Sequence, residues 1–532
     1  MYKVTIKLPI DFNKNNLKIC VAKEVGLRVS DITKCKLLKL SLDARDKSKI
    51  FYLASICFET FKNLNLKKFK SVSKFEQKEI HFPKLNKICD KKIVIVGFGP
   101  SGMFAGLTLA RAGAKVTILE RGYEMTKRKS VVNELMKNGT MCEASNIQFG
   151  EGGAGTFSDG KLNTGIKSEY IQSVLDDFVL FGANENIAYD FRPHIGTDVL
   201  EQVVVNLRNE ILNLGSSVLF EHKLVDLKYQ NDKIALDIQT PNGNTSIDCD
   251  ILIFAIGHSS RDTIRMLFDK NIELKQKPFS MGYRIEHKQS DINLAQYGKF
   301  ANQNILPPAD YHLVTHLDNG RSVYTFCMCP GGVVVPAMSE KNTIVTNGMS
   351  YSLRDGENAN SAILCTVETS DFPSDSPLAG LELQEEYEKY AFAKNNSYNT
   401  TVQLVGDFLH GVTSKKLGKV IPSYRPGYVL GTVEDMLPKV LVDSIKQGIV
   451  NLDKKLHGFA DSDSILTGVE TRSSAPYQVV RNQNMMSSLN NIYMVGEGAG
   501  FAGGIMSSAV EGIKCANIII EKLNIGISFE LN

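Results

Sequence analysis

Apolar and polar positions along the chain predict strands and helices in two kinds of environment. Residues 92–96 and 250–256 are short runs of Ile, Val, Leu and Phe, the pattern of strands buried on both faces of a parallel sheet. Residues 2–8 alternate between apolar and polar side chains, as half-buried strands do. Helical patterns cover residues 103–112 and 199–214. The fold class predicted is therefore α/β, built around a buried parallel sheet.

The first of the buried strands is followed by a glycine motif of fixed spacing. Gly97, Gly99 and Gly102 form a G-x-G-x-x-G pattern, and the next strand, residues 115–119, ends at Glu120. Such glycines permit a tight turn, close approach of a pyrophosphate and close packing of helix on strand. The helix N-terminus attracts phosphate, and the acid is placed to accept from ribose hydroxyls. This unit predicts a dinucleotide site.

Two further glycine-rich segments suggest contact with the same ligand. Residues 150–165 (GEGGAGTFSDGKLNTG) form a loop whose backbone can approach a phosphate closely, although a flexible surface loop is the alternative. Near the C-terminus a strand at 491–495 leads into GEGAGFAGG at 496–504 and then into a long helix. This order repeats the strand, glycine turn and helix of the first motif.

Composition places the chain among multidomain globular proteins. It has 532 residues, 43% of them hydrophobic and 22% charged, and two to four domains are expected. There is no apolar run of the roughly 18 residues needed for a membrane span, and the N-terminal residues lack a signal-peptide pattern. Ten scattered cysteines form no zinc motif and fit a reducing compartment. A cytoplasmic location and no metal are expected.

Charge is distributed unevenly between the N-terminal segment and the rest of the chain. Residues 1–92 contain 22 Lys and Arg against 9 Asp and Glu, whereas the remainder contains 39 against 49. A nucleic acid or another polyanion could bind such a basic segment. We favour a solvated lysine-rich surface, because the sequence does not interleave aromatic residues with the lysines as a base-stacking surface requires.

These patterns divide the chain into four segments. We predict a small basic α+β domain with a linker at 1–90, a dinucleotide-binding domain at 91–270 and its C-terminal return at 471–532. Residues 271–470 are rich in strand patterns and contain no second G-x-G-x-x-G, so we interpret them as a mixed α+β substrate or cap domain inserted into the first fold.

Three separated pieces together resemble FAD-binding oxidoreductases of the glutathione reductase-like, two-dinucleotide-binding type. They are GFGPSG with Glu120, the strand ending AIGH at 255–258, and VGEGAGFAGG at 495–504. The resemblance implies a Rossmann-type FAD-binding domain. It also implies that Gly496 and Glu497, usually Gly-Asp in that group, meet the ribityl and pyrophosphate, and that Val225 meets the adenine through its backbone.

Several longer stretches look closer to a bacterial family of largely uncharacterised FAD-dependent dehydrogenases with a small N-terminal domain. They are FGEGGAGTFSDGKLNT, GHSSRDT, KPFSMGYRIEH, TFCMCPGGVVVPA, ANSAI and GEGAGFAGGIMSSAVEG. Motif and resemblance together assign FAD binding to Gly97, Gly99, Pro100, Ser101, Gly102, Glu120, Arg121, Gly153, Thr156, Val225, Ala255, Gly257, Gly496, Glu497, Gly503, Gly504 and Ile505.

Catalytic side chains are less clear, and each candidate has a structural alternative. Cys327 and Cys329 are redox thiols or an inert buried pair. His287 positions a substrate carboxylate or acts as a general acid, or it belongs to a cross-strand ion pair; Arg472 is an anion clamp or a structural arginine. Lys161 is placed to stabilise negative charge on a reduced flavin, or it is a loop lysine without such a role.

The resemblance implies a function for the whole chain. We expect an FAD-dependent oxidoreductase that transfers hydride between flavin and a small-molecule substrate. With no second dinucleotide motif, NAD(P)H is expected to visit transiently if it is the donor; the substrate itself or a protein partner is the alternative donor. A second hypothesis is a flavin-dependent tRNA-modifying enzyme that uses the basic N-terminal domain.

Overall fold

The computed structural model describes residues 1–76, 79–303 and 305–525. The predicted linker includes Gln77 and Lys78, and the predicted C-terminal return continues beyond residue 525; these positions lie outside the described residues. Residues 2–74 form an antiparallel sheet with strand order β2-β3-β1-β4 and one covering helix. Its elements are β1 (Tyr2–Leu8), α1 (Leu17–Val25), β2 (Ile32–Asp43), β3 (Phe51–Thr60) and β4 (Val72–Lys74).

The next segment alternates strands with helices and contains one antiparallel excursion of three strands. Its elements are β5 (Ile93–Val96), α2 (Pro100–Arg111), β6 (Val116–Leu119), α3 (Met125–Asn138), α4 (Tyr170–Leu180), α5 (Thr197–Asn213), β7 (Ser217–Leu219), β8 (Lys223–Gln230), β9 (Lys233–Thr240), β10 (Gly243–Cys249), β11 (Ile251–Phe254) and α6 (Arg261–Asp269).

The remainder is mostly antiparallel and then returns to a strand and a long helix. Its elements are β12 (Leu274–Gln276), β13 (Phe279–Lys288), α7 (Gln289–Tyr297), β14 (Val314–His316), β15 (Ser322–Cys329), β16 (Val333–Pro336), β17 (Thr346–Met349), β18 (Asn358–Val367), α8 (Ala379–Asn395), β19 (Thr400–Leu404), α9 (Val405–His410), β20 (Tyr428–Leu430), α10 (Lys439–Asp453), β21 (Ile465–Glu470), β22 (Tyr477–Val479), β23 (Ile492–Met494) and α11 (Ile505–Ile525).

The predicted parallel sheet is present and has five strands in the order β23-β11-β5-β6-β7. All four pairings in it are parallel, with Ile93 opposite both Ile251 and Val116. Parallel strands end at the same edge of a sheet, so the residues that follow β5, β6, β11 and β23 meet there. The turns after these strands begin with Gly97, Glu120, Ala255 and Val495.

A second large sheet faces this edge. It has seven strands in the order β14-β15-β18-β13-β21-β19-β20, all antiparallel except the β19–β20 pair. The short ribbon β12-β22 joins the chain segments that leave and re-enter the first unit. The predicted boundary at residue 271 falls between α6 and β12, and that at 470 falls at the end of β21.

Helices α2 and α11 pack unusually closely, and this brings the two glycine turns together. A Cβ placed on Gly512 of α11 would lie 2.2 Å from the carbonyl oxygen of Ser101 on α2. The hydroxyl of Ser101 donates to the carbonyl of Ser508 at 2.9 Å. The N-termini of both helices are thereby held at the same end of the molecule.

The strand predictions were more accurate than the helix predictions. Helices α3, α4, α6, α7, α9 and α10 were not predicted; α3 lies where the sequence shows only a polar stretch, because its apolar positions are widely spaced. No helix within the described ranges is both long and apolar enough to cross a membrane.

Candidate functional site

A cavity of about 720 Å³ lies at the carboxyl edge of the parallel sheet, between it and the seven-stranded sheet. Glycine turns from four parts of the chain converge on one side, and β15 with its neighbours forms the other. Most of the predicted cofactor residues line it, namely Gly97, Gly99, Pro100, Ser101, Glu120, Arg121, Gly153, Ala255, Gly257, Gly496, Glu497, Gly503, Gly504 and Ile505. Their contact with FAD remains a prediction.

The three glycines of the first motif are needed for different reasons. A Cβ on Gly97 would lie 2.3 Å from the carbonyl oxygen of Ala255, and one on Gly102 would lie 2.0 Å from that of Gly97. Packing within the protein therefore requires both. A Cβ on Gly99 would meet only the Cα of Gly153, at 3.8 Å. The protein itself leaves room at Gly99, as expected where a ligand approaches the backbone.

The glycine loop at 150–153 rests on the first turn. The Gly152 N–H donates to the carbonyl of Phe98 at 2.9 Å, and a Cβ on Gly153 would lie 2.9 Å from the Cα of Gly99. Gly150, Gly152 and Gly153 all have positive φ, which favours glycine. The loop is therefore part of the walls of the cavity and not a free surface connection.

The Glu120 carboxylate holds the first glycine turn and the glycine loop together through hydrogen bonds. It accepts from the N–H groups of Phe98 at 2.9 Å, Gly122 at 2.9 Å and Gly150 at 3.1 Å. Its side chain is buried and still lines the cavity. Two carboxylate oxygens offer about four acceptor positions, so one remains for a ligand hydroxyl after these three bonds.

A cationic cluster lies beside Glu120. Arg121 donates to the carboxylate of Asp262 at 2.8 Å, Lys223 pairs with the same carboxylate at 2.7 Å, and the Arg121 guanidinium lies 4.5 Å from the centroid of the Phe149 ring. Although burial opposes it, these two cations lower the pKa of Asp262 to about 2. This end of the cavity is therefore polar and keeps its ionic form over the physiological pH range.

The C-terminal turn adds a second helix N-terminus and an acid–imidazole pair. Gly503 and Gly504 precede α11, whose first N–H groups have no partner inside the helix. Glu497 Oε1 lies 3.4 Å from Nδ1 of His258, and both side chains line the cavity. His258 is buried, and its Nε2 has no hydrogen-bond partner among the residues that the structure describes. Such an atom is expected to bond a ligand or water.

Three predicted cofactor residues lie away from the cavity lining. Gly102 packs against Gly97 inside the turn, and Thr156 is fully buried with its carbonyl accepting from the Thr197 hydroxyl at 2.6 Å. Val225 is 40% exposed near the start of β8, where the pairing with β9 is irregular; Leu224 lines the cavity in its place. The strand runs from Lys223 to Gln230, so Val225 is its third residue.

Lys161 lies on the wall where the glycine loop meets the seven-stranded sheet. Its Nζ is 3.8 Å from Asp159, whose carboxylate is already engaged by both the Nε and Nη2 of Arg354. The Lys161 side chain is 27% exposed, and it lines the cavity. Its ammonium charge is therefore only weakly compensated by the protein.

Cys327 and Cys329 both line the cavity but differ in their surroundings. Cys327 sits at a bulge of β15 with a φ of 42°, a conformation that non-glycine residues rarely adopt, and its surface opens into the cavity. Cys329 is buried, and its thiol lies 3.3 Å from Nη2 of Arg284. Although Cys327 is exposed to the cavity, the protein around the cavity limits the solvation of its thiol and raises its pKa to about 12; burial also raises the pKa of Cys329, and Arg284 opposes both effects.

Arg472 reaches the cavity but is held in a buried ion-pair network. Its Nε and Nη2 donate to Glu388 at 3.0 Å and 2.6 Å, and Arg261 donates to the same carboxylate at 2.7 Å and 2.8 Å. The three side chains are 0–2% exposed. Burial opposes the charge of Glu388, but the two guanidinium groups hold its pKa well below the usual range. This network ties α6 to α8 and the end of β21, which favours the structural interpretation of Arg472.

His287 lies in the core of the seven-stranded sheet and not in the cavity. Its Nε2 donates to the carbonyl of Phe459 at 2.8 Å, and its ring packs against Phe459 and Tyr311. Burial lowers the pKa of the imidazole. We therefore interpret His287 as a neutral core histidine, which corrects the suggestion of a general acid.

Sequence patterns did not single out several polar residues that line the cavity. His258 directly follows Gly257 at the end of β11, and its position after a buried strand was the available signal. Arg192 pairs with Asp310, and both lie at the wall with His312, but no motif links them because they come from separate loops. Within the described part of the chain, no group of His, Cys, Asp and Glu is arranged to hold a metal ion.

Comparison with known proteins identifies the class of this chain. Residues 278–473 match the family model described as "FAD-dependent protein, C-terminal domain-like", and residues 1–58 match a domain of unknown function. The protein is thus an FAD-dependent protein. An uncharacterised protein of Clostridium beijerinckii (strain ATCC 51743 / NCIMB 8052) is 45% identical over 533 residues, covering 98% of each chain. The chain belongs to the same family as that protein.

Solved structures of low sequence identity also match. A flavoprotein/dehydrogenase from Cytophaga hutchinsonii aligns with a TM-score of 0.37 and 12% identity, covering 82% of this chain and 80% of that one. The flavin-dependent halogenase CmlS aligns with a TM-score of 0.38 and 13% identity, covering 83% and 60%. A geranylgeranyl bacteriochlorophyll reductase-like protein from Thermoplasma acidophilum aligns with a TM-score of 0.36 and 12% identity, covering 82% of this chain and 79% of that one.

The residues at the cavity fit an FAD molecule by the chemistry they offer. Open space at Gly99 and the N-termini of α2 and α11 suit a pyrophosphate, because first-turn N–H groups and the helix dipole favour anions. The carboxylate of Glu120 suits a hydroxyl donor. The unpartnered Nε2 of His258 marks a further polar contact.

Proposed function

We propose that the protein is an FAD-dependent oxidoreductase acting on a small molecule that binds in the same cavity as the cofactor. One observation carries this proposal: the glycine turns share a single cavity with a wall of side chains from β15, including Thr325, Phe326 and Cys327. When bound, FAD supplies the hydride chemistry. The protein is left to bind and orient the substrate and to balance charge.

Residue roles follow from this proposal. In it, residues of the glutathione reductase-like pattern hold the cofactor: Glu120 binds the ribose, and Gly99, Ser101 and Gly503 face the pyrophosphate. Among the positively charged side chains that line the cavity, Lys161 has the weakest ion pair with the protein, because its nearest acid, Asp159, is already bound by Arg354. We assign it the role of stabilising negative charge that develops in the cavity during reduction.

The electron donor is proposed to be NAD(P)H visiting transiently or the substrate itself. The sequence contains three G-x-G-x-x-G patterns, at residues 97–102, 150–155 and 498–503, and the first is the one whose helix leads into a second parallel strand, β6, and then an acid, Glu120. A dedicated nicotinamide domain would need a second such unit. The donor therefore has to reach the cavity from solvent, as the substrate does.

The test begins with the purified full chain, which is expected to be yellow and to release flavin on denaturation. Stopped-flow absorbance then follows flavin bleaching under anaerobic conditions with NADH, NADPH and a metabolite library. Protein that neither carries FAD nor takes it up would refute the proposal, and so would a loaded protein that no donor reduces.

A matched pair of variants tests the role of Lys161. Lys161→Met is expected to slow bleaching by at least about tenfold, because one preorganised charge at the reacting centre is removed. Lys167→Met, six residues along the same segment and exposed, is the control and should bleach at the parental rate. Equal rates for the two variants would exclude Lys161 from the reaction.

A further inference from the structure

We infer that the open face of the N-terminal sheet, formed by one side of β1, β2 and β3, binds single-stranded nucleic acid. This lysine face, as we call it, is defined by Lys3, Lys7, Lys34, Lys36, Lys39, Phe51 and Phe191. The inference is independent of the oxidoreductase proposal, because it concerns a surface and not the cavity.

Strand register separates the two sides of this sheet. Val4, Ile56 and Leu37 lie opposite one another on the side that packs against α1. Residues one position away therefore point to the other side. There Lys3 and Lys36 lie opposite Cys57, and Thr5 and Lys39 lie opposite Ser55. Small residues line the centre of this side, and lysines surround them.

Charge on this face is largely uncompensated. It carries five lysines, of which Lys7, Lys34, Lys36 and Lys39 are exposed. Its two acids are Glu59, 3.6 Å from Lys34, and Asp43, which is bound by Arg45. The side-chain hydrogen bond and charge of Arg45 hold the pKa of Asp43 at about 2. Lys7, Lys36 and Lys39 are therefore available to phosphate groups.

Two aromatic rings lie among these lysines, although they are far apart in sequence. Lys7 Nζ lies 4.6 Å from the ring centroid of Phe51. Lys39 Nζ lies 4.1 Å from that of Phe191, whose side chain is 52% exposed. Phe191 is brought here by main-chain pairing: Leu40 donates to the carbonyl of Tyr189 at 2.7 Å, and Phe191 donates to that of Leu40 at 2.9 Å.

The lysine face continues to the mouth of the cavity. Arg192 follows Phe191 in the chain, pairs with Asp310 and lines the cavity together with it. The docked segment 189–191 thus connects the edge of β2 to the cavity wall. A strand lying on the lysine face would pass close to that opening.

A surface that binds single-stranded nucleic acid needs positive charges for the phosphates and aromatic rings for the bases. Lysines neutralise the backbone and release counterions, and exposed rings stack with bases of any sequence. An acidic protein would use the lysines but gain little from Phe51 and Phe191. A duplex would present stacked bases that the rings cannot reach. Single-stranded nucleic acid is therefore the occupant that uses every element of the face.

The test measures binding of the full-length, flavin-loaded chain to a fluorescein-labelled 15-nucleotide oligouridylate by anisotropy at increasing NaCl. The face variant carries Lys7→Glu, Lys36→Glu and Lys39→Glu. A matched control carries Lys23→Glu, Lys62→Glu and Lys67→Glu, three exposed lysines of the same domain outside the face. Both triples change the net charge equally. A third variant carries Phe51→Ala and Phe191→Ala.

We expect salt-sensitive binding that the face triple abolishes and the control triple weakens only slightly. A neutral Lys→Gln version of the face triple should reduce the slope of log Kd against log salt by about 2, since each phosphate contact on a single strand contributes roughly 0.7. The Phe51→Ala and Phe191→Ala variant should bind at least about fivefold more weakly. If the Glu triple fails to fold, judged by circular dichroism and flavin content, the Gln triple replaces it.

Three results would overturn the inference. One is the absence of salt-dependent binding, and another is an equal loss in the face and control triples. The third is competition by polyglutamate as effective as that by unlabelled oligouridylate, together with no effect of the phenylalanine substitutions; that outcome would assign the face to an acidic protein. Flavin content and flavin bleaching are measured in parallel, so that a result against nucleic-acid binding is distinguishable from a result against the proposed oxidoreductase activity.

Discussion

The two sides of the cavity are built in different ways. On the side of the parallel sheet, main-chain groups form the surface: glycine turns after β5, β11 and β23 and two helix N-termini. On the side of the seven-stranded sheet, side chains form it, and they are held by buried ion pairs such as Arg472–Glu388 and Arg284–Glu470. A cofactor bound through backbone groups needs a local motif, whereas a substrate wall needs partners from distant segments.

This difference has energetic consequences. Replacing a glycine of the backbone side changes the room available to a ligand or a neighbouring turn. Removing one partner of a buried ion pair on the other side leaves an uncompensated charge in the protein interior, which is costly. The two sides should therefore respond differently to substitution, with binding affected on one and stability on the other.

The largest effect is expected at Glu388. Glu388→Gln should lower the free energy of unfolding by about 3–5 kcal/mol, because the buried Arg261 and Arg472 would both lose the buried carboxylate that they share, and the acid that remains close to both is the partly exposed Glu340. Urea denaturation measures it. Glu386→Gln, an exposed position on the same helix, should change it by less than about 0.5 kcal/mol. Equally small decreases in the free energy of unfolding for the two variants would show that the ion pairs of Glu388 do not hold α6, α8 and the end of β21 together.

A pH-dependent effect is expected from Glu151, whose side chain is a buried carboxylate of the glycine loop. Burial raises its pKa to about 7, although Arg208 at 3.0 Å opposes this. Because the pKa of Glu151 is raised in the folded protein, protonation of this residue stabilises the folded state. The stabilisation is complete below the pKa of the residue in the unfolded chain, roughly 4.3 for a glutamate, and it is lost as the pH rises through about 7.

Urea unfolding of the parent chain and Glu151→Gln at pH 4.5, 6 and 7.5 tests this expectation. The stability difference between them should change by on the order of 3 kcal/mol across the window, with the parent losing stability relative to the variant as pH rises. A difference that stays constant with pH, or one that changes in the opposite direction, would show that Glu151 is ionised throughout.

An intermediate effect, confined to binding, is expected at Gly99. Gly99→Ala should weaken FAD affinity by at least tenfold, about 1.4 kcal/mol, while the apoprotein unfolds at the parental temperature, because the added Cβ meets only Gly153 Cα at 3.8 Å. Gly102→Ala is the contrast: its Cβ would lie 2.0 Å from the Gly97 carbonyl, so it should lose both affinity and stability. Fluorescence titration and calorimetry separate the two quantities, and a destabilised Gly99→Ala apoprotein would contradict the assignment.

The smallest effect is expected at the cysteines. Because the surrounding protein holds the pKa of the Cys327 thiol near 12 and burial raises that of Cys329, neither is an effective thiolate at neutral pH. Cys327→Ser and Cys329→Ser should each change the rate of flavin bleaching by less than about tenfold between pH 7 and 8. A loss of a hundredfold or more in either variant would establish a redox role for the pair.

The sequence alone predicted most of the residues that line the cavity on the side of the parallel sheet. Strand patterns at 92–96 and 250–256, with glycine turns after them, are local signals, and parallel strands necessarily place those turns at one edge. One implied contact did not rest on a local signal. The resemblance implied that Val225 contacts the adenine through its backbone; Val225 is the third residue of β8, its neighbour Leu224 lines the cavity, and the contact itself remains a prediction.

Tertiary structure decided which polar residues share the cavity and which are merely structural. His287 and Cys327 both stand in strands, but His287 packs into a sheet core, whereas Cys327 lies at a bulge in β15 and faces the cavity. Phe191 reaches the lysine face only through main-chain pairing with β2, about 150 residues away in sequence. Local patterns determine backbone motifs; packing of distant segments determines which side chains meet.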